Sequence, residues 1–123
     1  MLVLVPLLAA LVAVPASAAP LRAAAPARPA VLPFLRLIRK TFPHDAARAV
    51  CVARHESSLR PSAYSRGNYG LFQINWSAHS YLDRSRLFEP VYNVKAARRI
   101  YNDAKRRHGN GWIPWAVRGM CGA

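Results

Sequence analysis

The segment CVARHESSLRPSAYSRGNYGLFQIN runs from Cys51 to Asn75 and holds a single acidic side chain, Glu56. The next carboxylates along the chain are Asp45 and Asp83, and arginines fill much of the space between. Glu56 follows Val52 by four residues and Ala49 by seven. That spacing places it on the apolar stripe of a predicted helix rather than on the solvated face. It also stands in the last turn, at the negative end of the helix dipole. Burial and the dipole both disfavour the ionised form and push the carboxyl group towards keeping its proton near neutral pH. Nearby cations such as Arg54 act the other way where they turn inward. A neutral carboxyl group in a partly dry cleft is what general acid catalysis needs. The competing description is a surface glutamate at a frayed helix end.

The elements that must hold Glu56 follow from pattern. FLRLIRKTF places Phe34, Leu37, Ile38 and Phe42 on one helical face, and Pro43 ends that helix. DAARAVCVARHES reads as a second helix with Asp45 as N-cap. Pro61, Gly67 and Gly70 mark turns and a short hairpin, and Leu71-Phe72-Gln73-Ile74 is either a strand or a buried turn. Asn93 is the expected cap of a helix whose inner face is Val94, Ala97, Tyr101 and Ala104 and which Gly109 ends. Pro114 suits the first turn of a last short helix towards Met120. The fold class is α+β, predominantly α, with a small central β-hairpin or turn element.

The chain of 123 residues allows one domain at most. Residues 1–18, MLVLVPLLAALVAVPASA, form an apolar run ending in a small-x-small pattern, and read as a cleaved signal peptide. A membrane anchor is the alternative, for which the run is short and interrupted by Pro6 and Pro15. Residues 19–33 are rich in Ala and Pro and read as a linker, which leaves residues 34–123 as the folded domain. Cys51 and Cys121 are the only cysteines. In an exported chain an even count favours a disulfide over two buried thiols, and the protein is expected to be secreted or associated with the cell wall. A formal charge of +13 suits a polyanionic partner, although fifteen arginines against three lysines also fit a coding bias.

Two motifs carry a family resemblance. Cys51-Val52-Ala53-Arg54-His55-Glu56-Ser57 resembles the catalytic-helix motif of the lysozyme-like superfamily. Asn68-Tyr69-Gly70-Leu71-Phe72-Gln73-Ile74-Asn75 resembles the sheet-and-turn motif that follows it. Asn93-Val94-Lys95-Ala96-Ala97 and Tyr101 resemble the groove-closing helix of bacterial transglycosylases of the soluble lytic (SLT) type. Gly111-Trp112-Ile113-Pro114-Trp115 resembles the tail of small secreted actinobacterial members. The resemblance spans roughly residues 34–123. Cys51 and Cys121 occupy places matching a disulfide of the animal c-type lysozymes, whose other three bridges are absent here.

Asn68 stands where c-type lysozymes carry the second catalytic aspartate. A retaining glycosidase needs a nucleophilic carboxylate about 5 Å from the acid, and an inverting one a base farther off; an asparagine is neither. Asp83, with Arg84 and Arg86 as neighbours, reads as part of a solvated loop. The resemblance therefore points to the single-glutamate branch. Glu56 would protonate the bond between N-acetylmuramic acid and N-acetylglucosamine in peptidoglycan glycan strands, and the substrate's N-acetyl group would stabilise the anomeric carbon. A lytic transglycosylase is the first expectation and a water-using muramidase the second. By the same resemblance Ser57, Tyr69, Gly70, Gln73, Asn75 and Tyr101 are candidate substrate contacts, with Trp76 a further aromatic. Trp112 and Trp115 are assigned to the core. A different class, a non-catalytic cationic wall-binding or antimicrobial protein, is motivated by the charge and the missing carboxylate. Other anionic cell-wall polymers are possible partners. Nucleic acid is not an expected partner: the basic run Lys105-Arg106-Arg107-His108 reads as a solvated helix face. The four histidines show no ligand spacing, so neither a metal nor another cofactor is expected, and a monomer is.

Overall fold

The computed structural model describes residues 31–123; the expected signal peptide and most of the expected linker lie outside the described residues. Three α-helices form the body: α1 (Leu32–Thr41), α2 (Ala46–Ser57) and α3 (Pro90–His108). Between α2 and α3 lie three two-residue strands, β1 (Tyr64–Ser65), β2 (Asn68–Tyr69) and β3 (Ile74–Asn75), forming an antiparallel sheet in sequence order. Short 3₁₀ turns occupy Ser77–His79, Arg84–Arg86 and Ala116–Cys121. The predominantly α, α+β class is as expected.

The apolar face of α1 is centred on Leu35, Ile38 and Phe42, all buried, whereas Phe34 and Leu37 are only partly covered. The stripe is rotated from the predicted one because α1 packs against both α2 and α3. Phe42 is fully buried, with ring centroids 5.7 Å from Phe72, 5.6 Å from Tyr101 and 5.4 Å from Trp112. Such aromatic contacts add to area burial. Asp45 occupies the N-cap position of α2 but makes no capping bond. Its carboxylate instead accepts hydrogen bonds from the Trp112 indole N–H, the Tyr101 hydroxyl and Arg48. A buried indole N–H needs an acceptor, and this one ties the start of α2 to the C-terminal segment.

Arg66 and Gly67, at φ 49° and 81°, form the two-residue turn between β1 and β2, the positive-φ geometry that a tight hairpin requires. Leu71 and Phe72 are fully buried in the turn between β2 and β3, and Ile74 opens β3, so this apolar run is a buried turn that leads into a strand.

Asn93 does not cap α3. The helix begins at Pro90, with Glu89 at the N-cap, and Asn93 lies inside its first turn, 1 % exposed. Proline suits the first helical position because its missing N–H is not needed there. Asn93 Oδ1 accepts from the Phe72 N–H at 2.9 Å, and Nδ2 donates to the Tyr69 and Leu87 carbonyls, both at 2.8 Å. Gly70, at φ 72°, lies against this amide: a Cβ there would come within 2.4 Å of Asn93 Nδ2 and 2.5 Å of Leu87 O. One buried amide thus fastens the sheet and its turn to α3. Val94, Ala97, Tyr101 and Ala104 form the inner face of α3, and Gly109 ends it in the left-handed conformation, as expected.

The Cys51–Cys121 disulfide joins the middle of α2 to the C-terminal 3₁₀ turn. Closing a loop of this length contributes about 4 kcal/mol on the chain-entropy account. Ala116–Cys121 forms a 3₁₀ helix packed against α2, in place of the expected helix starting at Pro114.

Asn93→Ala strands an N–H and two carbonyls in the interior, so we expect a loss of about 2–4 kcal/mol in denaturant unfolding, where a lost buried partner costs about 1–3 kcal/mol. Gly70→Ala, strained by both its φ and its neighbours, should cost at least about 1 kcal/mol. A cost within about 0.5 kcal/mol for Asn93→Ala would show that the amide is not the fastening.

Candidate active site

Glu56 stands one residue from the end of α2. The helix stops because Ser58 and Leu59 both turn left-handed, at φ 53° and 58°. Val52 and Ala49 beneath it are fully buried, so the expected apolar stripe is present. Glu56 itself is half-buried and lines a cavity of about 400 Å³. The sheet supplies Asn68 and Asn75, the turn between β2 and β3 supplies Gln73, the 3₁₀ turn after the sheet supplies His79, and the C-terminal segment supplies Trp115. Burial raises the Glu56 carboxyl above the ordinary glutamate value, opposed by the nearby His55. The opposing contribution thus comes from His55 rather than the anticipated Arg54.

Among the described residues, Glu56 is the only carboxylate lining this cavity. Asp83 lies on an exposed turn, where the Ser85 hydroxyl and N–H hold it and lower its pKa. Asn68 lies opposite Asn75 across the β2–β3 pair, and Asn75 Nδ2 donates to Asn68 Oδ1 at 3.0 Å. Asn75 Oδ1 accepts from the Ala78 N–H, which anchors the turn that carries His79. Gln73 adopts φ 46°, a costly conformation for a non-glycine residue. Its Nε2 donates to the Ala63 and Gly70 carbonyls, each at 3.0 Å. Gln73 Oε1 and Asn68 Nδ2 are left with no hydrogen-bond partner among the described residues. They offer one acceptor and one donor beside the acid. An acetamido group, with one N–H and one carbonyl, is complementary to that pair.

A family model described as a lysozyme-like domain matches residues 41–117. The chain belongs to the lysozyme-like domain family. No curated protein and no solved structure matches it. Membership makes the protein a glycosidase-type enzyme in general terms, with peptidoglycan as the general substrate.

Within this lysozyme-like domain, three of the residues singled out from sequence meet at one cavity: Glu56, Gln73 and Asn75. The other four do not line it. Ser57 is 3 % exposed, and its hydroxyl lies 3.0 Å from the Ala53 carbonyl and 2.8 Å from that of Leu71. It clips α2 to the buried turn and is not accessible to a sugar. Gly70 is buried against Asn93. Tyr69 packs between Tyr64 and Phe88, with ring centroids 5.1 and 5.2 Å away. Residues alternate across a strand, so Tyr69 and Asn68 serve opposite faces. Tyr101 is 6 % exposed, with its hydroxyl on Asp45, and lines a different cavity. Trp76 donates its indole N–H to the Leu82 carbonyl and lies under the Arg84 guanidinium.

Sequence reasoning missed His79, whose pKa burial lowers against the opposing pull of Asp103. The available signal was its place four residues after Asn75, itself an Asn able to cap a following turn. Trp115 is in the core as expected, donating to the Phe72 carbonyl, yet it also walls the cavity.

A glutamate whose folded-state pKa is raised gives up stability as pH climbs through that value, because ionising it in place costs more than ionising it in the unfolded chain. Glu56→Gln should therefore match the native protein in thermal stability below pH about 4, where Glu56 is protonated in both the folded and the unfolded chain, and exceed it as pH rises through the raised Glu56 pKa, above which the difference levels off. Parallel curves across that range would show that Glu56 is not desolvated.

Proposed function

We propose that the protein is a secreted lytic transglycosylase that cleaves the β-1,4 bond between N-acetylmuramic acid and N-acetylglucosamine, with Glu56 as its single catalytic carboxyl group. The observation that carries this is the lone, half-buried Glu56 with a raised pKa, set in a cavity whose other polar groups are amides and one imidazole. Neutral Glu56 delivers its proton to the glycosidic oxygen as the bond to the anomeric carbon breaks. The substrate's own acetamido oxygen closes onto that carbon, which replaces an enzyme nucleophile. Gln73 Oε1 and Asn68 Nδ2 suit the acetamido groups of the strand and orient it. Glu56, now ionised, removes the proton from the 6-hydroxyl of the same sugar, whose oxygen attacks the anomeric carbon and displaces the acetamido oxygen, restoring the acetamido group. The product is a 1,6-anhydromuramyl end, and Glu56 is reprotonated for the next cycle. Secretion is part of this proposal, since the substrate lies outside the cell.

Hydrolysis of the same bond is the second reading, and His79 favours it. Its lowered pKa keeps the imidazole neutral at pH 7, so the cavity holds a second base able to activate water.

Digestion of purified peptidoglycan followed by mass analysis separates the two, because an anhydro end is lighter than a reducing end by one water. Glu56→Gln should lower turnover by about 10²–10⁴-fold, the usual worth of a general acid, with the fold intact. Full lysis by that variant would overturn the glycosidase reading. Asn68→Asp places a like charge beside Glu56 and should move the alkaline limb of the rate profile to higher pH, read from kcat/KM on soluble glycan.

A further inference from the structure

A second cavity, of about 450 Å³, shares no lining residue with that of Glu56. His44 and Arg48 enter it from the start of α2, and Arg98, Asn102 and Lys105 from α3. The last three follow one another at four and three residues, which puts them on one side of the helix. Arg98 is half-buried, its guanidinium carbon 5.2 Å from the ring centroids of both Phe42 and Tyr101. Lys105 Nζ lies 5.7 Å from the Tyr101 centroid. Neither cation has a carboxylate partner among the described residues. One acidic side chain also belongs to this cavity, Asp45. Asp45 is already engaged by Trp112, Tyr101 and Arg48. Arg48 in turn donates Nε to the Gly122 carbonyl. What remains open is a guanidinium held on aromatic faces, an ammonium two turns along, and the Asn102 amide between them.

We propose that this cavity binds a phosphodiester group of an anionic polyol- or sugar-phosphate polymer of the cell wall. Guanidinium and ammonium donors lining one cavity suit the several oxygens of a phosphate. The cavity is larger than a bare phosphate needs, and Asn102 with His44 meets the flanking hydroxyl groups. A lipid surface fits less well: the exposed large apolar residues Tyr64, Tyr81, Phe88, Val91, Ile113 and Met120 all lie outside the lining, so no apolar rim enters an acyl layer. Single-stranded nucleic acid needs open ring faces for base stacking, and the lining aromatics Tyr101 and Trp112 are 6 % and 2 % exposed. The choice of the wall as the source rests on the glycosidase reading; the phosphate site itself does not. Because the two cavities share no residue, a polymer bound here leaves the Glu56 cavity open to glycan.

Titration calorimetry with a glycerol-phosphate oligomer, inorganic phosphate and phosphatidylglycerol vesicles tests this on the full chain. Arg98→Gln/Lys105→Gln should weaken oligomer binding by about tenfold or more. Arg36→Gln/Lys40→Gln removes the same charge from exposed positions on α1 and should weaken it by less than about threefold. Both should cleave soluble glycan as the native protein does. Lys105→Gln alone, at an exposed position, guards against misfolding of the double variant and should cost about threefold or more. Equal losses for the two double variants would mean diffuse attraction and overturn the site. So would binding of phosphate alone without the oligomer, or vesicle binding tighter per phosphate with the same dependence on Arg98 and Lys105. Oligomer binding with no glycan cleavage at all would leave the phosphate site standing and remove only the wall as its source.

Discussion

The amide of Asn93 is the interaction on which the site depends. Its three hydrogen bonds reach both sides of the turn between β2 and β3 and the segment leading into α3. The sheet has only two residues per strand, too little pairing to stand alone in water. What fixes it is the seat beneath: Leu71 and Phe72 in the core, Gly70 against the amide, and the Ser57 hydroxyl at the Leu71 carbonyl. Asn68, Gln73 and Asn75 come to the Glu56 cavity because that seat places them there.

The opposite wall is held differently. Glu56 belongs to a helix tied at its start through Asp45 to Trp112, in its middle by the Cys51–Cys121 bridge, and at its end by Ser57. A partly buried carboxyl group is an unfavourable thing to keep, and these ties oppose any shift that would let it reach water. The raised pKa of Glu56, on which the proposed general acid role rests, thus comes from packing.

Much of this was legible in the sequence, for definable reasons. The inner face of α3 and its glycine stop followed from helical period and from the need for positive φ. Glu56 was found because an acid on an apolar stripe contradicts the pattern. Residues whose importance lies in long-range bonding were harder. Asn93 has the chemistry of a helix cap, and only the docked turn reveals that its amide is spent on Phe72, Tyr69 and Leu87. Tyr69 and Tyr101 have the type of a sugar-stacking residue, but which side of a strand or helix faces a groove is settled by packing, and both turned elsewhere. His79 was passed over because its cavity is assembled from segments distant along the chain. The basic run at the end of α3 is exposed as read, with Arg106 and Arg107 paired to Asp103, but its first member, Lys105, also lines a cavity with Arg98, seven residues earlier in the chain.

The two cavities meet back to back at a pair of indoles. Trp112 lines one, Trp115 lines the other, and their ring centroids are 5.4 Å apart. At that separation the pair exchanges excitation energy freely, so the molecule carries an optical gauge of its own. A displacement of either ring is therefore felt in the emission of both, over the background of the partly buried Trp76.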